Sequence, residues 1–267
     1  MTARINELFS LEGKTAVVTG GSRGIGEMIA EGLVDAGASV IMTARKAEAL
    51  MATADRLNEK AQSSGASVTA IPGDLSTPEG LTALADEVKA KVDSLDILVN
   101  NAGAAWAAPL GEFPVNGWDK VMDLNVRSVF YLTEALVDHL RNAGTPEDPA
   151  RVINIGSVDG LRTSDIEHYA YSTSKAAVHH LTRQLAKRLR HENVRVNAIA
   201  PGPFDSQMMA WALDDPELRA QVAADIPVGR IGEPDDMAGA VIYLASRAGA
   251  YLTGVTLPVG GGCATAE

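Results

Sequence analysis

The sequence predicts a single doubly wound α/β domain around a parallel sheet, and three observations predict it. Seven short apolar runs alternate with six longer stretches of helical periodicity. The runs are continuous rather than alternating, as in AVV (16–18), VIM (40–42) and ILV (97–99); strands covered on both faces read this way. A glycine-rich turn joins the first run to the first helical stretch. Strand–helix alternation implies parallel pairing through right-handed crossovers.

Strands are expected over 15–19, 39–43, 68–71, 97–99, 151–155, 195–199 and 254–258. Helices are expected over 25–37, 46–63, 78–92, 117–142, 172–191 and 234–247. The 267 residues are enough for one large core, and no repeat, low-complexity tract or Pro/Ser linker divides them. Residues 1–267 therefore read as one domain, with 203–226 as a small helical lid over the site.

Composition removes several classes of function. A hydrophobic content of 46% excludes intrinsic disorder. Cys263 is the only cysteine, which excludes a disulfide scaffold. Lys plus Arg number 23 against 34 Asp plus Glu, a net charge of −11 with no basic block. That balance disfavours nucleic acid and anionic membrane surfaces. No apolar run approaches the roughly 18 residues of a membrane span. Residues 1–10 carry Arg4 and Glu7 and lack the apolar centre of a signal peptide. A cytoplasmic location is the expectation.

In a doubly wound sheet, ligands bind beyond the carboxyl ends of the strands. After the first strand stands Gly20-Gly21-Ser22-Arg23-Gly24-Ile25-Gly26. Glycines let the backbone approach a pyrophosphate, and a helix N-terminus offers free N–H groups and partial positive charge. The spacing is G-x-x-x-G-x-G rather than G-x-G-x-x-G, and a glycine turn without ligand is the plain alternative. The second strand ends near Arg45, where an NAD site usually presents an acid to the ribose hydroxyls. Arg23 and Arg45 instead suit a 2′-phosphate, so NADP is expected; both also read as ordinary surface arginines. Asp74, in Gly73-Asp74-Leu75, is placed to accept from an adenine amino group, or simply to shape the turn before Pro78. In Asn100-Asn101-Ala102-Gly103 an Asn can bridge strand ends and the Gly can lie against a ribose, although the tetrapeptide alone reads as a turn.

The fifth strand delivers Ser157 to the same edge. Tyr171 and Lys175 follow at i and i+4, on one helix face, whereas Tyr169 has Thr173 at that position. A phenol titrates near about 10, and a cation within about 4–6 Å lowers such a value. Lys175 is therefore expected to make Tyr171 a proton donor and acceptor near neutrality. It is also expected to bond the nicotinamide ribose, while Ser157 holds the substrate oxygen. Val178, Leu181, Leu185 and Leu189 give the same helix an ordinary apolar stripe, so the pair gains weight only beside the other two motifs. His139, His168, His179, His180 and His191 form no metal constellation and read as surface or packing residues. Ser157 lacks the G-x-S-x-G setting of a nucleophile.

Taken together, the chain resembles a short-chain dehydrogenase/reductase over nearly its whole length. The motifs are TGGSRGIG (19–26), GDL (73–75), NNAG (100–103), GSVDG (156–160), YSTSK (171–175), PG (201–202) and GRIGEPDDMA (229–238). The resemblance implies a Rossmann-type domain and a fourth catalytic residue, Asn125 in LNV, supporting Lys175 through a water. It implies that Phe204 and Ser206 touch the nicotinamide carboxamide, and that Gly20, Ser22, Gly24, Ile25, Gly26, Leu75, Asn101 and Gly103 join the cofactor set. Helices such as 117–142 and 172–191 form the family's dimer faces, and the C-terminal strand often completes a tetramer; a homotetramer or homodimer is expected.

Two departures stand out. Ser157 and Tyr171 are 14 apart, one more than the commonest family spacing, so the loop 161–168 absorbs a residue. Ser206 stands where the family usually has Thr. Within the family, NNAGAAW (100–106) and YAYSTSKAAVHHL (169–181) most resemble 3-oxoacyl-thioester reductases of the rhamnolipid-pathway type. An acidic carrier protein would be repelled by the −11 charge, which shifts weight to a CoA thioester or free ketone. In the lid, Phe204, Met208, Met209, Trp211, Leu213, Leu218 and Val222 can line an apolar pocket, or pack on the domain, with Trp106 as a second wall. The expected activity is NADP-dependent carbonyl reduction. The alternatives are a sugar, polyol or steroid alcohol dehydrogenase, and a nucleotide sensor without turnover.

Overall fold

The computed structural model describes residues 2–61 and 65–264. In chain order the elements are α1 (Thr2–Phe9), β1 (Thr15–Thr19), α2 (Gly24–Asp35), β2 (Ser39–Ala44), α3 (Ala47–Ala61), β3 (Val68–Pro72), α4 (Pro78–Lys91), β4 (Ile97–Asn100) and α5 (Val115–Met122). A π-helical turn, Asp123–Arg127, leads into α6 (Ser128–Ala143). There follow β5 (Ala150–Ile155), a 3₁₀ turn (Val158–Gly160), α7 (Tyr169–Leu189), β6 (Val194–Pro201), α8 (Ala210–Leu213), α9 (Pro216–Asp225), α10 (Pro234–Ala245) and β7 (Thr256–Val259).

The seven strands form one parallel sheet in the order β3-β2-β1-β4-β5-β6-β7. Strand order reverses between β1 and β4, which opens a crevice at their carboxyl ends. Side chains alternate across a strand, and the two faces of the sheet carry separate cores. Ala16 and Val18 face Ile29, Leu33, Leu50, Leu57, Val241 and Leu244 of α2, α3 and α10. Val17 faces the other way, with Leu84 and Val88 of α4, Leu132 and Leu136 of α6 and Leu189 of α7. Gly32 makes the α2–α10 contact possible, since a Cβ there would lie 2.7 Å from the Ala238 Cβ.

All seven expected strands are present, with ends shifted by two residues or fewer. Three helical features differ from the expectation. The helix expected over 117–142 runs from 115 to 143 and is interrupted by the π turn. The short α1 was not expected; its eight residues are too few to show a clear period. The lid is two short helices, α8 and α9, each entered by a non-helical residue. The Asp215 side chain caps α9 by accepting from the N–H groups of Glu217 and Leu218, at 2.8 and 3.0 Å. Among the described residues no helix is long and apolar enough to cross a membrane.

Candidate active site

The loop after β1 is built so that backbone, not side chain, faces the crevice. Gly20 and Gly24 have φ of +68° and +54°, the left-handed region that glycine enters without strain. At Gly26 a Cβ would fall 2.1 Å from the Gly20 carbonyl oxygen and 2.4 Å from Asn101 Nδ2. α2 begins at Gly24 with Arg23 extended before it and no side-chain cap, so its first N–H groups are unclaimed by side chains. Ile25 is partly buried on the α2 side of the core, and the Ser22 carbonyl is held by the Thr53 hydroxyl at 3.1 Å. Asn101 ties the end of β4 to this loop. Its Nδ2 donates to the Thr19 and Gly20 carbonyls at 2.9 and 3.2 Å, while its own N–H and that of Ala102 donate to Thr19 Oγ1. Gly103, two residues on, presents exposed backbone.

Arg23 and Arg45 are both exposed at the rim of this loop. Arg23 Nη1 donates to Gln207 Oε1 at 3.2 Å, which ties the loop to the lid segment. Asp74 Oδ1 accepts from the Ser76 N–H and hydroxyl at 3.0 and 2.8 Å. Burial pushes its carboxyl up, but those two bonds and the Arg45 charge outweigh it and hold it below the usual range. One Asp74 oxygen is therefore spent on the turn. Leu75 points its side chain into the core, so only its backbone faces the crevice.

Ser157 lies two residues past β5 and caps the 3₁₀ turn, its Oγ accepting from the Asp159 N–H at 3.1 Å. Tyr171 and Lys175 stand on the first turns of α7. The Tyr171 ring is partly exposed, and its phenol end lies beside the Ser157 side chain. Lys175 is 5% exposed, donates to the Ile155 carbonyl at 2.9 Å, and holds Nζ 5.6 Å from the Tyr171 ring centre. Tyr169 is excluded from this cluster: its hydroxyl donates to Glu167 at 2.7 Å on the surface. Asn125, in the π turn, accepts from the Ala104 N–H at 2.8 Å and donates to the Ala104 carbonyl and Ser174 Oγ, both at 2.9 Å. Asn125 and Lys175 meet at Gly103, where an added Cβ would lie 3.3 Å from Asn125 Oδ1 and 3.6 Å from Lys175 Nζ.

The electrostatics correct one expectation. Lys175 does not lower the Tyr171 phenol in the protein alone. Burial pushes the phenol up to about 12, the neighbouring Ser157 side chain opposes this, and the Asp159 charge adds to it. Burial also pushes Lys175 down to about 8. Desolvation dominates both shifts, because burial disfavours the charged form of each group.

The family described as enoyl-(acyl carrier protein) reductase matches residues 20–264, which include the glycine loop and the Ser157, Tyr171 and Lys175 cluster. The chain belongs to the short-chain dehydrogenase/reductase family. It is 51% identical over 254 residues to a rhamnolipid-biosynthesis 3-oxoacyl-acyl-carrier-protein reductase of Pseudomonas aeruginosa, covering 95% of this chain and 97% of that one. It superposes on the Pseudomonas aeruginosa RhlG/NADP active-site complex with a TM-score of 0.92 and 50% identity, covering 97% of this chain and 99% of that one. A gluconate 5-dehydrogenase from Burkholderia cenocepacia in complex with NADP and tartrate gives 0.88 and 32% identity, over 98% and 100% of the two chains.

In this short-chain dehydrogenase/reductase the segment after β6 packs on the glycine loop. A Cβ on Gly24 would lie 3.0 Å from the Ser206 Cβ. Phe204 is turned inward, 2% exposed and packed on Gly232, so only its backbone can face a nucleotide. The apolar lid residues divide. Leu213, Met209 and Val222 pack with Val158, Ile226, Ile231 and Cys263, while Met208, Trp211 and Leu218 remain exposed. Trp106 is partly buried, lies over Gly117 and receives Lys120 Nζ at 5.5 Å from its ring centre. Among the described residues no three His, Cys, Asp or Glu side chains are grouped to hold a metal ion.

Two of the five histidines sit at this reductase site. His168 lies against the Tyr171 ring. His179 is 2% exposed, two helical turns past Tyr171, and packs beneath the serine turn: a Cβ on Gly156 would lie 2.0 Å from its Nε2. Neither ring nitrogen makes a well-formed hydrogen bond. Burial pushes the imidazole down to about 4, the nearby Gly160 backbone opposes this, and the Lys175 and Arg183 charges reinforce it. An unfolded imidazole takes its proton near about 6.5. The folded protein thus binds fewer protons between these values, and the stability His179 contributes above about 6.5 is lost as pH falls through 4, amounting to about 3 kcal/mol. His179→Leu is expected to lose less stability than the parent between pH 7 and pH 4.5. Urea unfolding at the two pH values checks this; equal losses in both proteins would refute the assignment.

Proposed function

We propose that this short-chain dehydrogenase/reductase transfers hydride between NADP(H) and a ketone or secondary alcohol, with a 3-oxoacyl thioester as its leading substrate. The observation that carries this reading is the neighbouring Ser157 and Tyr171 side chains, with Lys175 Nζ 5.6 Å from the Tyr171 ring centre, at the carboxyl edge shared with the glycine loop. The cradle at Gly20, Gly24 and Gly26 leaves no room for a side chain and offers unclaimed N–H groups, which fits a pyrophosphate. Arg23 and Arg45, both exposed at its rim, fit a 2′-phosphate. The bound dinucleotide supplies the hydride.

The chain's own residues do the rest. Ser157 Oγ and the Tyr171 hydroxyl hold the substrate carbonyl oxygen between them. Tyr171, protonated throughout the neutral range, gives its proton to that oxygen as charge develops there. Lys175 stands behind the phenol and toward the ribose, and Asn125 fixes the 104 backbone and supports Lys175 through a water. Asp74, Leu75, Asn101, Gly103, Phe204 and Ser206 complete the cofactor set, Leu75 and Phe204 through backbone. A phenol pushed up to about 12 is protonated at neutral pH and so carries the proton that reduction requires. The named 3-oxoacyl reductase relative supports the substrate class. The exposed aromatics Trp118, Phe130 and Tyr131 on α5 and α6 support a dimer face, and a homotetramer in the cytoplasm is part of this reading.

The test is NADPH oxidation at neutral pH with acetoacetyl and longer 3-oxoacyl thioesters, a keto sugar and a steroid ketone, with NADH run in parallel. Turnover of the thioesters with NADPH is the expected result. Turnover of the keto sugar or steroid alone would transfer the activity to the second class, and equal rates with NADH would overturn the role of Arg23 and Arg45.

A further inference from the structure

Ser157 sits on a turn that is held from several sides, and one of them is a side chain with no part in the proton transfer. Gly156, the residue before Ser157, donates its N–H to the Ile199 carbonyl of β6 at 2.7 Å. Gly160, at the end of the turn, is seated on the backbone of α7: a Cβ there would fall 2.6 Å from the Lys175 carbonyl carbon and 2.7 Å from the Ala176 nitrogen. The His179 imidazole meets both glycines. An added Cβ would lie 2.0 Å from its Nε2 at Gly156 and 2.9 Å from its Cε1 at Gly160. The ring therefore abuts the turn on each side of Ser157.

Two hydrogen bonds draw α7 toward the end of β5. Lys175 Nζ donates to the Ile155 carbonyl at 2.9 Å. Thr182 Oγ1 accepts from Asn154 Nδ2 at 2.9 Å, and Asn154 Oδ1 accepts from Asn100 Nδ2 at 2.9 Å. His179 follows Lys175 at i+4 and precedes Thr182 by three, so the three share a helix face. Its contribution on that face is bulk rather than bonding or charge. Neither ring nitrogen makes a well-formed hydrogen bond, and burial keeps the imidazole neutral at pH 7. The ring is 2% exposed. Interiors are close-packed, so neighbours relax toward the space that a lost side chain leaves. Tyr171 rides on the same helix, and the thickness of this ring separates that helix from the turn that carries the serine hydroxyl.

We propose that His179 is a positioning residue, a spacer that holds Ser157 at the distance from Tyr171 at which both hydroxyls reach one substrate oxygen. The inference rests on the proposed reduction at Ser157 and Tyr171. His179 acts through Ser157 and exchanges no proton with substrate or cofactor.

The experiment measures kcat, and KM for NADPH, with the full chain and the acetoacetyl thioester of N-acetylcysteamine, or whichever ketone of the panel above the parent reduces. His179→Ala is expected to lower kcat by about ten- to a hundredfold, the cost of misplacing a reacting group by about 1 Å. KM for NADPH and the NADPH-induced rise in melting temperature should stay near the parent values. His179→Leu, which restores bulk without the ring nitrogens, is expected to recover most of kcat. The deciding comparison is made in a Ser157→Ala background, by single turnover. There His179→Ala is expected to leave the rate almost unchanged, because no serine hydroxyl remains to be placed. A disturbance of α7 that displaced Tyr171 or Lys175 would lower the rate by the same factor in both backgrounds. Gly156→Ala supplies a second check: its methyl group collides with the imidazole in the parent and enters the vacated space in His179→Ala. The pair is expected to be faster than His179→Ala alone. Should His179→Ala fail to fold, His179→Val takes its place in each comparison. Parent-level kcat in His179→Ala, equal losses in the two backgrounds, or a pair slower than His179→Ala would overturn the inference and leave the proposed reduction intact. A parent protein that reduces no ketone of the panel would overturn that reading, and this inference with it.

Discussion

Tyr171→Phe is expected to lower kcat for ketone reduction by about a hundred- to ten-thousandfold, the contribution of a positioned general acid. The ring stays in place and the packing against His168 is kept; only the hydroxyl beside Ser157 is lost. NADPH should still raise the melting temperature of the variant, because no bond of the glycine loop involves that hydroxyl. The two measurements together separate chemistry from binding. Turnover near the parent level would remove Tyr171 from the proton transfer and, with it, the mechanism. A sensor that binds nucleotide without turnover would show the thermal shift in parent and variant alike, and no rate in either.

Gly26→Ala carries the second large effect. The new methyl group would sit 2.1 Å from a backbone oxygen and 2.4 Å from the Asn101 amide that joins β4 to the loop. Neither can move without opening the carboxyl end of the sheet. A destabilisation of about 3 kcal/mol is expected from overpacking of this kind, together with loss of the NADPH thermal shift. Gly239→Ala is the control: it lies in α10, nothing stands within 4 Å of the added methyl, and it should leave both readouts near the parent or slightly improve stability. Urea unfolding and nucleotide-dependent melting report the two effects separately.

The strands could be read from the chain because each is a short, continuous apolar run bounded by turn residues, and burial on both faces makes that signal local. The glycine loop and the Tyr171–Lys175 spacing were legible for the same reason, since their geometry lies within a few residues of sequence. The features that escaped the sequence depend on contacts between distant segments. Phe204 reads as a pocket residue until Gly232, 28 residues later, is seen to receive its ring. His168 and His179 read as surface or packing residues, and only the meeting of α7 with the serine turn buries both, one against the Tyr171 ring and the other against Gly156. The spacing of Tyr171 and Lys175 predicts attraction between them, but not that burial dominates the titration of both. A sequence gives the sign of a charge and not the amount of water left around it. A signal for His179 was available in Gly156 and Gly160, two glycines four apart flanking Ser157, which mark a turn lying against something bulky.

The π turn at Asp123–Arg127 has a consequence for how this region tolerates change in length. Each residue added to a helix rotates the succeeding residues by about 100°. The N–H of Ser128 reaches back five residues to the Asp123 carbonyl, so one residue is accommodated as a bulge and the α6 face is offset in angle from α5. Asn125 points at Ala104 and Ser174 from within that offset. Removing a single residue here would let the hydrogen-bond ladder heal into an unbroken α-helix, with little cost to the helix as such. The same deletion would turn Asn125 away from Lys175, or turn the Leu132 and Leu136 stripe away from the sheet. Angular phase, rather than helix formation, fixes the length of this segment.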